Sequence, residues 1–224
     1  LLQSSAASDV YKRQGLFIIK EHFLRVHINL LALPGVSLSE IKTAMSHSVL
    51  LGQCRRFLNK HKIKSLSGID TAGSAKIVSE SNDRSKSALA SPLAGEIYGL
   101  DSLGVEIEDM KNNTTRFLIM SNKKKNVLFE KNKKFMTTIV FQVKNIPAAL
   151  YKAMGGFATN NVNMVKLESY MVSGTFTSTQ FYADIEGHPD EEKVKRALDE
   201  LVFFTSVFKI LGVYECHNFR KFNS

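Results

Sequence analysis

Asn113-Thr114-Thr115-Arg116-Phe117 sets an amide, two hydroxyls and a guanidinium side by side at the start of an apolar run. A hydroxyl that hands a proton to a departing group, next to an arginine that can fork onto a carboxylate, is a compact catalytic unit. The same residues also make an ordinary polar loop, and both readings stand at this level. A second group of hydroxyls falls at expected helix starts: Ser46 beside His47, Thr71 to Ser74, and Ser91. Helix N-termini carry unpaired N–H groups and partial positive charge, so a set converging on one cleft would hold a small carboxylate-bearing ligand. Taken singly, each is a cap. Of the six histidines only His47 stands in such a place; the others have no partner at useful spacing, and no metal site is expected. Asn112-Asn113-Thr114 and Asn113-Thr114-Thr115 match glycosylation sequons, which mean nothing without a secretory signal. The sequence contains no Gly-rich phosphate loop, GxSxG elbow or HExxH motif.

The elements that must position these residues alternate between strand and helix. Leu24, Val26, Ile28 and Leu30 alternate with Arg25, His27 and Asn29, which predicts a strand with one buried face. Ser37 and Glu40 have capping-box spacing ahead of a short helix. Leu50, Leu51, Cys54, Phe57 and Leu58 recur at helical spacing, with the start near Ser46 or His47. Asp70 to Ala75 opens a third helix. Ala88-Leu89-Ala90-Ser91-Pro92 reads as a buried strand entering a helix with proline near its first position and Gly99 as its C-cap. Val105 to Ile107 and Phe117 to Met120 are further expected strands. Beyond Phe135 the order is strand, helix opened by an Asn145 cap, two strands (Val162 to Met171, Phe176 to Ile185), helix (Asp190 to Thr205) and strand (Val207 to Tyr214). That β-α-β-β-α-β order is the ferredoxin-like unit, two helices covering one face of an antiparallel sheet. In the second helix Val194, Ala197, Leu198, Leu201 and Val202 form the apolar face.

With 44% apolar and 23% charged residues in 224, the chain can bury a real core, and disordered and low-complexity classes are excluded. Its length suits two modest domains. Cys54 and Cys216 lie far apart without metal-ligand spacing, pointing to a reducing, cytoplasmic compartment. The net charge of +9 concentrates between Ser121 and Phe135, where six lysines face one glutamate. That stretch reads as a solvated linker; without aromatic interleaving or a helix-turn-helix pattern, no nucleic-acid partner is expected. Gly15 to Leu33 carries too many charges to cross a membrane, so no membrane association is expected.

Three segments together resemble the prephenate dehydratases. Ser46-His47-Ser48-Val49-Leu50-Leu51-Gly52-Gln53-Cys54 resembles their Ser-His-Pro-Gln-Ala-Leu-x-Gln-Cys segment, and Asp70 to Ala75 their Asp-Thr-Ala-x-Ala-Ala turn. Asn113-x-Thr115-Arg116-Phe117 matches their Asn-x-Thr-Arg-Phe signature unchanged. The trailing unit resembles the ACT regulatory domain, with Asn145 to Leu150 at its Asn-x-Pro-Gly-Ala-Leu position and Lys166 to Ser169 at its Lys-Ile-Glu-Ser position. The resemblance implies an α/β fold: a two-lobed, periplasmic-binding-protein-like catalytic domain followed by a ferredoxin-like ACT domain. Expected boundaries are an unrelated lead-in at 1–14, a partial catalytic domain at 15–121 with an incomplete first lobe, a linker at 122–134, the ACT domain at 135–216 and a tail at 217–224.

The activity it implies is loss of water and carbon dioxide from prephenate to give phenylpyruvate, in phenylalanine biosynthesis, driven by aromatisation and needing no metal or organic cofactor. Thr115 would be essential, as proton donor or its positioner. Ser46, Gln53, Thr71, Ala72, Ser91 and Asn113 would bind substrate, and Arg116 would hold a carboxylate or brace the loop. L-Phenylalanine would be the effector, held by Asn145, Ala148, Ala149, Leu150, Glu168 and Ser169, in a homodimer or homotetramer. Ser48-Val49 replace the usual Pro-Gln, Ala148 stands where that loop usually has Gly, and Tyr170-Met171 replace Arg-Pro. Two alternatives remain open: a dehydratase acting on arogenate, and a non-catalytic phenylalanine-binding regulator.

Overall fold

The computed structural model describes residues 15–171 and 179–222. The lead-in at 1–14, the first residues of the strand expected from Phe176 and the last two residues of the tail lie outside the described residues. In chain order the elements are β1 (Phe17–Arg25), β2 (Asn29–Ala32), a 3-10 turn (Leu38–Glu40), β3 (Thr43–Ser46), α1 (Ser48–Gln53), α2 (Arg55–Lys60), β4 (Lys64–Ser67), α3 (Thr71–Glu80), β5 (Lys86–Ala90), α4 (Pro92–Tyr98) and β6 (Asp101–Gly104). There follow β7 (Thr114–Ser121), β8 (Phe135–Val143), α5 (Ala149–Thr159), β9 (Met164–Met171), β10 (Thr179–Glu186), α6 (Glu192–Phe203), β11 (Thr205–Glu215) and α7 (Asn218–Phe222). Packing divides the described residues into two compact units, one of Leu24–Thr115 and one joining those up to Phe23 with those from Arg116 onward.

In the Leu24–Thr115 unit a sheet has the order β4-β3-β5-β2-β6, with β3 parallel to β4 and β5 and β2 antiparallel to β5 and β6. Both of its faces are covered. Leu30, Ala44 and Leu89 pack with Leu51 of α1 and Leu58 of α2, while Leu31, Ala88 and Ala90 pack with Ala75 and Val78 of α3 and Ala94 of α4. Covering on both sides explains why β2 is buried at every position instead of alternating. Side-chain chemistry sets the helix boundaries as the sequence suggests: the Ser37/Glu40 capping box, Asp70 accepting from the Gly73 amide, Ser91 accepting from Ala94, and Gly99 in the left-handed region at φ 62°. The expected helix from residue 46 or 47 is two helices, broken at Cys54.

The strand expected from Leu24 to Leu30 is interrupted. Val26 and Ile28 give their amides to Asn113 O and Glu108 Oε2, and Ile28 O receives the Ile107 amide, so these backbone groups pair with a loop instead of a sheet. Val105 to Ile107 is correspondingly not a strand, because Glu106 turns the chain through a left-handed φ of 50°.

The other unit is built on an antiparallel sheet of order β11-β8-β10-β9. On one face Ile139, Phe141, Phe181 and Ala183 meet Ala153 and Phe157 of α5 and Val194, Ala197, Leu198 and Leu201 of α6. Val202, expected on that apolar face, is half exposed. On the opposite face Met136, Val140, Tyr182 and Leu211 pack with Ile18 of β1 and Leu118 of β7, which pair with each other as a ribbon. The ribbon lies so close that a Cβ on Gly212 would sit 2.0 Å from Ile18 O. Phe17–Phe23 and Arg116–Ser121 therefore pack with the C-terminal sheet, so the packing does not divide at the expected boundary after residue 121. The lysine-rich stretch is exposed and irregular. Asn145 is not the cap of α5: the N-cap is Ala148, itself left-handed at φ 56°.

Candidate active site

Three parallel strands of the Leu24–Thr115 unit end side by side, and each carboxyl end carries residues of the expected site. β3 closes on Ser46 and leads into α1; β4 is followed by Asp70 and Thr71 at α3; β5 is followed by Ser91 at α4. The chain leaving β3 returns to β4 on one side, whereas the chain leaving β5 continues to β6 beyond β2 on the other. Such a switch of direction opens a crevice at the carboxyl ends of adjacent strands, the usual ligand position in sheets of this kind. The local bonds there are largely internal. Ser46 is buried and its hydroxyl donates to Leu89 O at 2.8 Å; His47 Nδ1 accepts from the Val49 amide at 3.3 Å; Asp70 Oδ1 accepts from the Gly73 amide at 2.5 Å; Ser91 Oγ accepts from the Ala94 amide at 3.3 Å. All three helix starts are thus capped from within the chain, while Ala72 and Ser91 are exposed and Thr71 is half-buried.

Gln53 and Asn113 come together directly. Asn113 Nδ2 donates to Gln53 Oε1 at 3.2 Å, and both line a cavity of about 440 Å³ with Gly52, Glu108, Asp109 and Thr114. That volume suits a small organic ligand. The loop ahead of Asn113 is clamped to the α1–α2 junction: the Asp109 amide donates to Gln53 O at 2.7 Å, and the Asp109 carboxylate accepts from the Arg56 amide at 3.1 and 3.3 Å, at the start of α2. Burial, with the charges of Asp109 and Glu108 adding to it, pushes the nearby Cys54 thiol up to about 12, so it is not a nucleophile near neutral pH. Ser46, Thr71, Ala72 and Ser91 do not line this cavity.

Thr114 and Thr115 follow one another in β7, where side chains alternate between faces. Thr114 lines the cavity; Thr115 is exposed, and its hydroxyl makes no hydrogen bond with any described residue. Arg116 is anchored in the other unit, its Nε donating to Glu21 at 2.8 Å, one terminal nitrogen to Asp184 and the other to Tyr214 at 2.7 Å. Thr138 Oγ1 completes the cluster through Asp184 at 2.5 Å. Glu21 and Asp184 are fully buried. Burial opposes the charge on Arg116, but Tyr214, Asp184 and Glu21 outweigh it and hold the guanidinium protonated. These bonds hold the Arg116 side chain against β1, β10 and β11.

Among the residues assigned to an effector, Asn145, Ala148, Ala149 and Leu150 occupy the turn from β8 into α5, with Ala149 buried. Glu168 and Ser169 lie on the edge strand β9, separated from β8 by β10, and Glu168 pairs with Lys166 at 3.1 Å. One expectation is corrected among the histidines. His27 has partners remote in sequence, with Nδ1 3.2 Å from Glu106 and 3.9 Å from Glu108. Glu108, Asp109 and this pairing carry no local sequence pattern, since the loop from 105 to 113 gains its meaning only by folding onto 26–28 and onto α1.

A unit with three parallel strands and a cavity lined by Gln53, Asn113 and Thr114, followed in the chain by an antiparallel β-α-β-β-α-β unit, defines an α/β protein with a cavity of small-molecule size. The chain belongs to the prephenate dehydratase family, whose model matches residues 5–125. It is 45% identical over 207 residues to a bifunctional N-acyl-homoserine lactone acylase/prephenate dehydratase of Komagataeibacter europaeus, spanning 92% of this chain and 73% of that protein. An arogenate dehydratase/prephenate dehydratase of Arabidopsis thaliana is 36% identical over 220 residues, spanning 92% of this chain and 56% of the relative. The solved prephenate dehydratase of Arthrobacter aurescens in complex with L-Phe superposes with a TM-score of 0.85 at 28% identity, covering 96% of this chain and 71% of that one. Among the described residues no helix is long and apolar enough to cross a membrane.

Proposed function

We propose that this chain is a prephenate dehydratase, converting prephenate to phenylpyruvate, water and carbon dioxide. The observation that carries the reading is the Gln53–Asn113 pair, which brings two segments of the family's pattern onto one cavity beside the Thr114-Thr115 step. In the reaction the ring hydroxyl takes up one proton and its C–O bond breaks to release water. The bond from the ring to its carboxylate breaks as well, and its electron pair enters the ring to make it aromatic. The Thr115 hydroxyl, exposed and without a hydrogen bond to any described residue, gives or positions the proton for the departing oxygen. Gln53 and Asn113 orient the substrate, with Ser46, Thr71, Ala72 and Ser91 shaping the crevice at the strand ends. Arg116 braces the strand that carries Thr115.

The wider architecture belongs to the same proposal: residues before the lysine-rich linker form part of a two-lobed periplasmic-binding-protein-like domain, and 135–216 form an ACT domain. L-Phenylalanine acts as effector through Asn145, Ala148, Ala149, Leu150, Glu168 and Ser169, in a homodimer or homotetramer. The L-Phe complex of the Arthrobacter relative supports that ligand. Two buried free cysteines suit a cytoplasmic protein. Arogenate is the second substrate to consider, because the Arabidopsis relative carries both activities in its name. Steady-state turnover of prephenate and of arogenate by the purified chain decides between them. A kcat/KM at least tenfold higher for prephenate is expected; the reverse order makes the chain an arogenate dehydratase, and no turnover of either supports a purely regulatory protein.

A further inference from the structure

We infer that His27, Glu106 and Glu108 form a binding site for one divalent cation, of the borderline class that takes mixed nitrogen and oxygen ligands, with Zn²⁺ the best fit. The three potential ligand atoms lie within 4.8 Å of one another, with His27 Nδ1 3.2 Å from Glu106 Oε1 and 3.9 Å from Glu108 Oε1. A tetrahedral zinc with bonds of about 2.1 Å needs ligand atoms about 3.4 Å apart, so small side-chain shifts close the cage. One imidazole and two carboxylates leave a fourth position, and Glu106, half exposed, leaves it open to water.

The ligands are held in place before any ion arrives. The Ile28 amide donates to Glu108 Oε2 at 3.1 Å while the Ile107 amide donates to Ile28 O at 2.9 Å, locking the two ligand-bearing segments together. Glu106 is turned back by its left-handed φ of 50°, and its amide is fixed by Asn29 Oδ1 at 3.2 Å. Outer hydrogen bonds of this kind are what orient the ligands of a metal.

Two features of these side chains favour an ion between them. The Glu108 side chain is only 3% exposed; Oε2 accepts the Ile28 amide, and Oε1 has His27 Nδ1 no nearer than 3.9 Å. His27 Nδ1 is buried and makes no hydrogen bond, although Glu106 Oε1 is within 3.2 Å, so neither carboxylate is aligned with the nitrogen as a direct proton acceptor. An ion placed among the three atoms answers both: it neutralises the carboxylates and takes the nitrogen lone pair.

The test is isothermal titration of Zn²⁺ into the full chain after removal of metals with a chelator, beside His27→Ala and Glu106→Gln. The half-exposed Glu106 can be changed without disturbing the core, and circular dichroism confirms that each variant is folded. One equivalent of Zn²⁺ per chain is expected, with binding weakened at least tenfold in both folded variants. No uptake by the wild type overturns the site; equal uptake by wild type and Glu106→Gln also overturns it, since the ion then sits elsewhere. The readout is binding, so its failure leaves the dehydratase reading untouched.

Discussion

Arg116 Nε donates to Glu21 Oε2 at 2.8 Å, joining residues 95 positions apart in the chain. The same guanidinium reaches Asp184 and Tyr214, so one side chain ties β7 both to its ribbon partner β1 and to the sheet beneath. Removing it would leave the fully buried Asp184 carboxylate without its cation, while Glu21, also buried, would keep only Arg220. Arg116→Ala is therefore expected to destabilise the protein by roughly 3–5 kcal/mol in urea denaturation. An unchanged midpoint would mean that the cluster is not formed in solution.

The same cluster makes stability depend on pH. Burial alone would raise the Glu21 carboxyl, but hydrogen bonds from Arg220 and the His217 amide and the charges of Arg220 and Arg116 outweigh it, holding Glu21 below its ordinary 4.5. A carboxyl lowered on folding contributes stability that is fully present above 4.5 and is lost as pH falls through the lower folded value. Thermal unfolding midpoints should accordingly drop as the pH is taken below 4.5, and Glu21→Gln should flatten that part of the profile while lowering stability at pH 7. Parallel profiles for the two proteins would contradict the assignment.

Ala148 tests the turn into α5. An L-residue held at φ 56° is strained by roughly 1–2 kcal/mol, and the family pattern has glycine there. Ala148→Gly is expected to gain about 1 kcal/mol, read as a higher urea midpoint, because relief of strain slightly exceeds the added entropy of the unfolded chain. If the resemblance to an ACT domain extends to its ligand, calorimetry should also find tighter L-phenylalanine binding in this variant. A lower midpoint would place the turn in another conformation.

Local chemistry in the sequence marks the elements whose ends are set locally. Asp70, Ser91, Gly99 and the Ser37/Glu40 pair cap what their spacing suggests, because a cap contacts residues only a few positions away. The alternation from Leu24 to Leu30 misleads because the partner of Val26 and Ile28 is an irregular loop some eighty residues later, which no period can announce. Glu106 shows the same limit: Val105 to Ile107 has the composition of a strand, and only the left-handed turn at Glu106 breaks it. Arg116 reads as a site residue beside Thr115, yet the acids that claim its guanidinium lie in β1 and β10. In the candidate site, Gln53 and Asn113 are legible as members of a pattern, whereas their contact, and the carboxylates sharing their cavity, are products of the fold.

The most direct test of the central claim separates two adjacent hydroxyls. Thr114 lines the cavity with Gln53 and Asn113, whereas Thr115 is exposed on the alternate side of the strand. Prephenate turnover at neutral pH, corrected for the spontaneous reaction, should be measured for the wild type, Thr114→Ala, Thr115→Ala and Thr115→Ser. The account predicts a loss in kcat of at least about 10²-fold for Thr115→Ala, the scale of a lost proton donor, with substantial activity kept by Thr115→Ser and Thr114→Ala. Full activity in Thr115→Ala together with its loss in Thr114→Ala would contradict it and move the chemistry to the cavity side of β7.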